Sequence, residues 1–88
     1  MIWSVEFDDA AAKELRKLDP QQQRKILRYF RERIATEEDP RRFGKPLSHE
    51  LAGLWRYRLG SLRMVCHIED HKLLVLVVRV AHRKHIYQ

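Results

Sequence analysis

The chain has few of the residues from which several common kinds of site are built. Among 88 residues there are one cysteine, three glycines and three prolines. A single cysteine cannot close an internal disulfide, so a reducing, intracellular setting is expected. So few glycines and prolines, with 44% apolar residues, exclude a collagen-like or low-complexity chain. The longest apolar run, Leu73 to Val78, is far short of the ~18 residues a membrane span requires. Glu6, Asp8 and Asp9 interrupt the N-terminal Met1-Ile2-Trp3, so no signal peptide is expected. There is no Gly-rich phosphate loop, no CxxC pair and no serine flanked by elbow glycines. His82 and His85 have a spacing that could hold zinc, but Cys66 is expected in the core, so neither a metal nor a small-molecule cofactor is expected.

What the chain does have is positive charge: 18 Lys and Arg against 12 Asp and Glu, or +6 with histidine neutral. Such a surplus favours polyanionic partners, RNA and DNA first. Its distribution is uneven. Residues 1–20 carry five acids and three bases, whereas residues 53–88 carry two acids and seven bases. A chain this short makes one domain, residues 1–88, and buries only about 60–65% of the surface its unfolded form exposes. A large internal site is therefore unexpected, and chemistry should sit on an open face.

The element pattern is β-α-α-β-β-β. Trp3, Val5 and Phe7 alternate as in a strand over Ile2–Phe7. Asp8-Asp9 caps a short helix over 9–18, with Ala11, Leu15 and Leu18 on one face. Asp19-Pro20 restarts a second helix, running to about Ala35, with Ile26, Leu27, Phe30 and Ile34 as its buried stripe. Arg24, Lys25, Arg28, Arg31 and Arg33 face outward, either as a solvated face or as an auxiliary RNA contact. Residues 40–53 read as a loop packed by Phe43, Leu47 and Leu51. Strands follow at Leu54–Leu59, Leu62–Glu69 and Lys72–Val80, the last being the most apolar and hence expected at the centre. The fold class is α+β: two N-terminal helices packed on one face of a small antiparallel sheet, with a short basic C-terminal tail.

Gly60-Ser61 is a two-residue loop with glycine first, which suits a type II′ turn. That fixes a register: Leu59 opposite Leu62, Arg58 opposite Arg63, Tyr57 opposite Met64 and Arg56 opposite Val65. Period-two alternation then puts Tyr57, Leu59, Leu62, Met64, Cys66, Ile68, Leu73, Val75 and Val77 on the face that receives the helices. The opposite face takes Arg56, Arg58 and Arg63, with Val65, Leu74, Leu76 and Val78. Like charges directly opposite on a ladder are destabilising, and such conflicts concentrate at functional sites. Three planar guanidinium forks would cradle a phosphodiester; alternatively they extend into solvent, or an acid from residues 37–50 covers them. In the tail, His82, Arg83, Lys84, His85 and Tyr87 offer cations, imidazoles and a phenol. Tyr87 could stack on a base or simply dock the chain end.

Trp55-Arg56-Tyr57-Arg58-Leu59-Gly60-Ser61-Leu62-Arg63, the following apolar strand, and His82-Arg83-Lys84-His85-Ile86-Tyr87 together resemble the RelE group of toxins, within the RelE/ParE superfamily of type II toxin–antitoxin modules. Phe7-Asp8 with Lys13-Glu14-Leu15-Arg16-Lys17-Leu18 is similar too. The resemblance implies a cytoplasmic bacterial endoribonuclease that cuts mRNA in the ribosomal A site, needs no metal, and is silenced by a cognate acidic antitoxin. It implies attack of the ribose 2′-OH on the adjacent phosphate. Arg56 and Arg58 match two basic residues of the active-site strand, and Arg63 matches the arginine that clamps the scissile phosphate. Arg83 matches the arginine serving the leaving 5′-oxygen, and Tyr87 the tyrosine that stacks on the substrate. Lys84, His82 and His85 would add RNA contacts. The best-known members carry lysine where this chain has Arg56 and Arg58. Arginine effectively never deprotonates, so the identity of the base stays open. Two other functions share the scaffold or the charge: a ParE-like inhibitor of DNA gyrase, and a non-catalytic RNA-binding module.

Overall fold

The computed structural model describes residues 1–82; Arg83, Lys84, His85 and Tyr87 lie outside the described residues. The elements are β1 (Ser4–Phe7), α1 (Asp9–Arg16), α2 (Pro20–Tyr29), β2 (Lys45–Pro46), β3 (Leu54–Leu59), β4 (Leu62–Glu69) and β5 (Leu74–His82). Both helices start where the caps predict. The Asp8 carboxylate accepts the Ala11 N–H at 2.8 Å, and Asp19 accepts that of Gln22 at 2.9 Å with Pro20 in the first turn. Each cap contributes about 1 kcal/mol. α2 ends earlier than expected and passes into a π-helical turn, Phe30–Ile34, which keeps both Phe30 and Ile34 buried.

The five strands form one sheet in the order β1-β5-β4-β3-β2. Three features differ from expectation. β1 runs parallel to β5, so the sheet is mostly rather than wholly antiparallel. The centre belongs to β4; the more apolar β5 lies between β4 and β1. A fifth strand, β2, emerges from the segment expected to be loop, pairing Lys45 with Arg56 and Pro46 with Trp55. Proline tolerates this position because β2 is an edge strand.

The helices cover one sheet face. Ala11, Ile26, Phe30 and Ile34 meet Tyr57, Leu62, Met64, Cys66, Val75, Val77 and Val80 in one buried cluster. Edge-to-face contacts run through it, Phe7–Phe30 at 5.8 Å and Phe30–Tyr57 at 5.8 Å between ring centroids. Cys66 is buried, and burial pushes its thiol up from the ordinary range, leaving it an inert packing group. Leu27, expected in the helix stripe, is 45% exposed. Phe43 and Leu51 are also exposed, so the 40–53 segment does not dock through them. It docks through buried Pro40, whose carbonyl accepts the Tyr57 hydroxyl at 2.7 Å, and through Arg41. Arg41 lies over the Trp55 ring and forms a two-point ion pair with Asp70 at 3.1 and 2.7 Å.

The β3–β4 register is the one the tight turn dictates, with Arg58 facing Arg63. Gly60 takes φ 60° while Ser61 stays at negative φ, as a type II′ turn requires. Across β4–β5 there is a bulge: Val65 faces Arg79 but Cys66 faces Val77, so Val78 has no opposite number. Strict alternation from Val77 would leave Val80 outside. The extra residue instead turns Val80 into the core and sets Arg79 beside Val65. β1 pairs with β5 only as far as Val77. Beyond it Glu14 of α1 guards the strand edge, accepting the Val80 N–H at 2.7 Å and the Arg79 Nε–H at 3.2 Å. No helix among the described residues is long and apolar enough to cross a membrane.

Candidate nucleic-acid interface

The face away from the helices carries two transverse rows of side chains, because cross-strand partners share a face. One row runs Lys45, Arg56, Val65, Arg79 across β2 to β5; the next runs Arg58, Arg63, Ala81 across β3 to β5. Successive rows are two residues apart, about 6.8 Å along a strand. Lys45, Arg56, Arg58 and Arg63 therefore form a compact basic patch around buried Val65. Two of its ladder pairs, Lys45–Arg56 and Arg58–Arg63, set like charges directly opposite each other.

No carboxylate among the described residues pairs with Arg56, Arg58 or Arg63. The acids of the 37–50 segment that form ion pairs go elsewhere: Glu38 to Arg42, and Asp39 to Arg41. The Arg56 Nε–H is buried and has no hydrogen-bond partner among the described residues. Burial, then the charges of Arg58 and Arg63, lower its pKa from the ordinary arginine value. It stays charged all the same, since a guanidinium is effectively never deprotonated in a protein. A buried donor without an acceptor costs about 1–3 kcal/mol, and an anionic oxygen would supply what is missing. Arg63 is held differently. Its Nη1 donates to the Gly60 carbonyl at 2.9 Å and the Leu62 carbonyl at 3.2 Å, so the hairpin turn itself orients the guanidinium. Arg58 is exposed beside it.

Of the residues singled out from the sequence, Arg56, Arg58 and Arg63 thus come together on one face. His82 does not join their rows. It pairs with Leu62, and its Nε2 lies 3.2 Å from the Ser61 hydroxyl at the hairpin tip. Two residues of the same face escaped the sequence reading. Lys45 was hidden because its strand is two residues long; the signal available was a Lys-Pro pair after Gly44, a common guard for an edge strand. Gly44 leaves little room there for a side chain. A Cβ would stand 3.2 Å from the Tyr57 ring and 3.3 Å from the Arg56 carbonyl oxygen. The other is His67, exposed between Leu54 and Leu76, with its Nδ1 3.6 Å from Glu69. Period two from Val65 places it, one row beyond Arg56. Arg79, although beside Val65, is engaged by Glu14.

The fold that presents this face has known counterparts. Residues 5–87 match the family model described as the ParE toxin of the type II toxin–antitoxin system, parDE. The whole chain is 35% identical to Toxin RelG of Mycobacterium tuberculosis (strain ATCC 25618 / H37Rv), covering 99% of that relative. The chain belongs to the RelE/ParE superfamily of type II toxin–antitoxin toxins. Among solved structures, the toxin–antitoxin complex RelBE2 of M. tuberculosis superposes with a TM-score of 0.87 at 32% identity, covering 94% of this chain and 93% of that one. The isolated E. coli RelE toxin gives 0.72 at 22% identity, covering 92% and 84%, a likeness of fold.

Proposed function

We propose that the chain is the toxin of a type II module and acts as a ribosome-dependent endoribonuclease on translated mRNA. The observation that carries this reading is the Arg56–Arg58–Arg63 cluster, with a buried, unsatisfied Arg56 donor on an open face. In the reaction the ribose 2′-oxygen bonds to the adjacent phosphorus and the P–O5′ bond breaks. The products are a 2′,3′-cyclic phosphate and a 5′-OH; the 2′-OH proton is lost and O5′ gains one. Extra negative charge builds on the non-bridging oxygens in between, where fixed guanidiniums stabilise it most. Arg63, oriented by the turn, holds the scissile phosphate; Arg56 and Arg58 bind the developing charge, and Lys45 extends the cradle. The superfamily resemblance gives Arg83 to the leaving oxygen and Tyr87 to base stacking. Arginines that cannot themselves take the 2′-OH proton gain from a substrate positioned by the ribosome.

The partner that would hold such a toxin in check is a small acidic antitoxin in the same cytoplasm. Relatives solved as complexes with antitoxin support this, among them RelBE2 of M. tuberculosis and RelE–RelB of Pyrococcus horikoshii. Mapping mRNA 5′ ends after induction tests the reading: codon-phased cuts in translated mRNA support it. Gyrase-dependent DNA breaks without mRNA cuts would replace it with the ParE-like activity, which the matching family model favours.

A further inference from the structure

A second basic feature lies on the other side of the hairpin turn. A groove of about 440 Å³ opens between α2 and the β3–β4 turn, lined by Lys25, Arg28, Tyr29, Arg33 and the turn residues Gly60 and Ser61. Three cations face one acid there, Glu32. Tyr29 is half-buried, its ring set edge-on against Phe30 and Tyr57 at 5.7 and 6.2 Å, so it makes a firm wall. Arg33 is also held in place: its guanidinium carbon lies 5.5 Å from the centre of the Phe43 ring, which Arg42 covers at 4.3 Å. The groove adjoins the arginine rows through one peptide group, for Gly60 lines it and the Gly60 carbonyl is the acceptor that anchors Arg63.

We propose that this groove binds one nucleotide of the RNA strand whose neighbouring phosphate sits on Arg58 and Arg63, with Lys25, Arg28 and Arg33 taking its phosphate and Tyr29 or a guanidinium plane meeting its base. The inference rests on the nuclease reading above and extends it to a flanking subsite. Size favours this occupant. Ligand pockets run from about 300 to 1,000 Å³, and this one suits a nucleotide, whereas a partner helix about 10–12 Å across needs a longer trough. The chemistry agrees, because single-stranded RNA is held by cations on phosphate and by flat side chains on bases. A strand crossing the Gly60-Ser61 turn would pass over a glycine and a serine, with the His82 imidazole beside the serine hydroxyl. The outward bases of α2 then have work that a solvated helix face does not.

The test is binding, not cleavage, with a 12-nucleotide single-stranded RNA 2′-O-methylated throughout so that it cannot be cut. Fluorescence anisotropy is followed against salt for the full chain and its variants, each checked by thermal melting. Arg28→Ala and Arg33→Ala should each weaken binding about fivefold or more, and lower the log–log salt slope by about 0.7, the value for one lost phosphate contact on a single strand. Arg28→Lys should restore most of the slope. A 4-thiouridine version of the probe should cross-link to the peptide holding Tyr29. Unchanged affinity and slope in both alanine variants, with Arg63→Ala weakened, overturns the groove alone. Absence of RNA binding by the unsubstituted protein overturns the groove, whereas the nuclease reading stands or falls separately on the mapped mRNA 5′ ends. Displacement of the RNA by oligoglutamate through Arg28 and Arg33 would make the groove a site for an acidic polypeptide instead, and overturns the assignment.

Discussion

Arg56→Met should make the protein more stable and nearly inactive at once. Methionine keeps an unbranched stem of similar reach against the sheet, so the packing of the side-chain methylenes survives. What disappears is the buried Nε–H with no acceptor among the described residues, worth about 1–3 kcal/mol. The substitution also removes a like charge facing Lys45 and neighbouring Arg58, each such pair costing about 0.2–1 kcal/mol. Allowing for solvent around the exposed end of the guanidinium, the net gain is about 1–2 kcal/mol. For a domain this size that raises Tm by about 4–16 °C. Salt screens the charge part of the gain, so the difference from the unsubstituted protein should shrink, but not vanish, as salt is raised. Cleavage of ribosome-bound mRNA should fall about a hundredfold or more, the scale for losing one preorganised charge-stabilising donor. Differential scanning fluorimetry at two salt concentrations and single-turnover cleavage are the two assays. A lower Tm with cleavage intact would refute the reasoning, since it would mean that Arg56 holds the fold together.

Arg63→Ala should cut cleavage by about two orders of magnitude or more while leaving the melt within about 0.5 kcal/mol, because its hydrogen bonds among the described residues are to turn carbonyls; loss of cooperative melting would make it structural. Arg58→Lys should keep substantial activity in the same assay and Arg58→Ala lose most of it, since the role asked of Arg58 is fixed charge; equal loss in both would point to fork geometry instead. The single-turnover rate should show no histidine-like inflection between pH 6 and 8, and His67→Gln and His82→Gln should leave the profile unchanged. An inflection that vanishes in either variant makes that imidazole the base. Finally, Arg41 holds the Asp70 carboxyl below its ordinary value, so the stability from this pair is full above about pH 3.9 and is lost as pH falls through the lowered value. Acid unfolding of Asp70→Asn should lack that component; an unchanged acid limb would show that the pair contributes nothing.

Much of the site was legible because one local feature fixes it. Gly60-Ser61 allows only one tight pairing, and the faces of Arg56, Arg58 and Arg63 follow by counting. The caps at Asp8 and Asp19 were equally plain, each being a carboxylate three residues before the N–H it accepts. What escaped depended on contacts distant in sequence. Leu73 to Val78 is apolar at every position, so alternation carries no phase there and the bulge at Val78 leaves no mark. Lys45–Pro46 pairs with β3 in a segment tied down by contacts distant in sequence, Tyr57 to Pro40 and Arg41 to Asp70. Leu27 reads as a core residue by spacing, but the buried line runs through Ile26, Phe30 and Ile34, and Leu27 lies to its exposed side.

The extra residue in β5 also bears on how this chain is compared with others across evolution. Because the bulge sets Val78 outside the ladder, deleting its codon would let plain alternation run on from Val77, with Arg79 still opposite Val65 and Val80 still inward. A one-codon change within the paired stretch on either side has no such outlet and exchanges the two faces of whatever follows it. Relatives with and without the extra residue can therefore present the same two faces, and an alignment between them keeps the later residues in step by opening its gap at Val78.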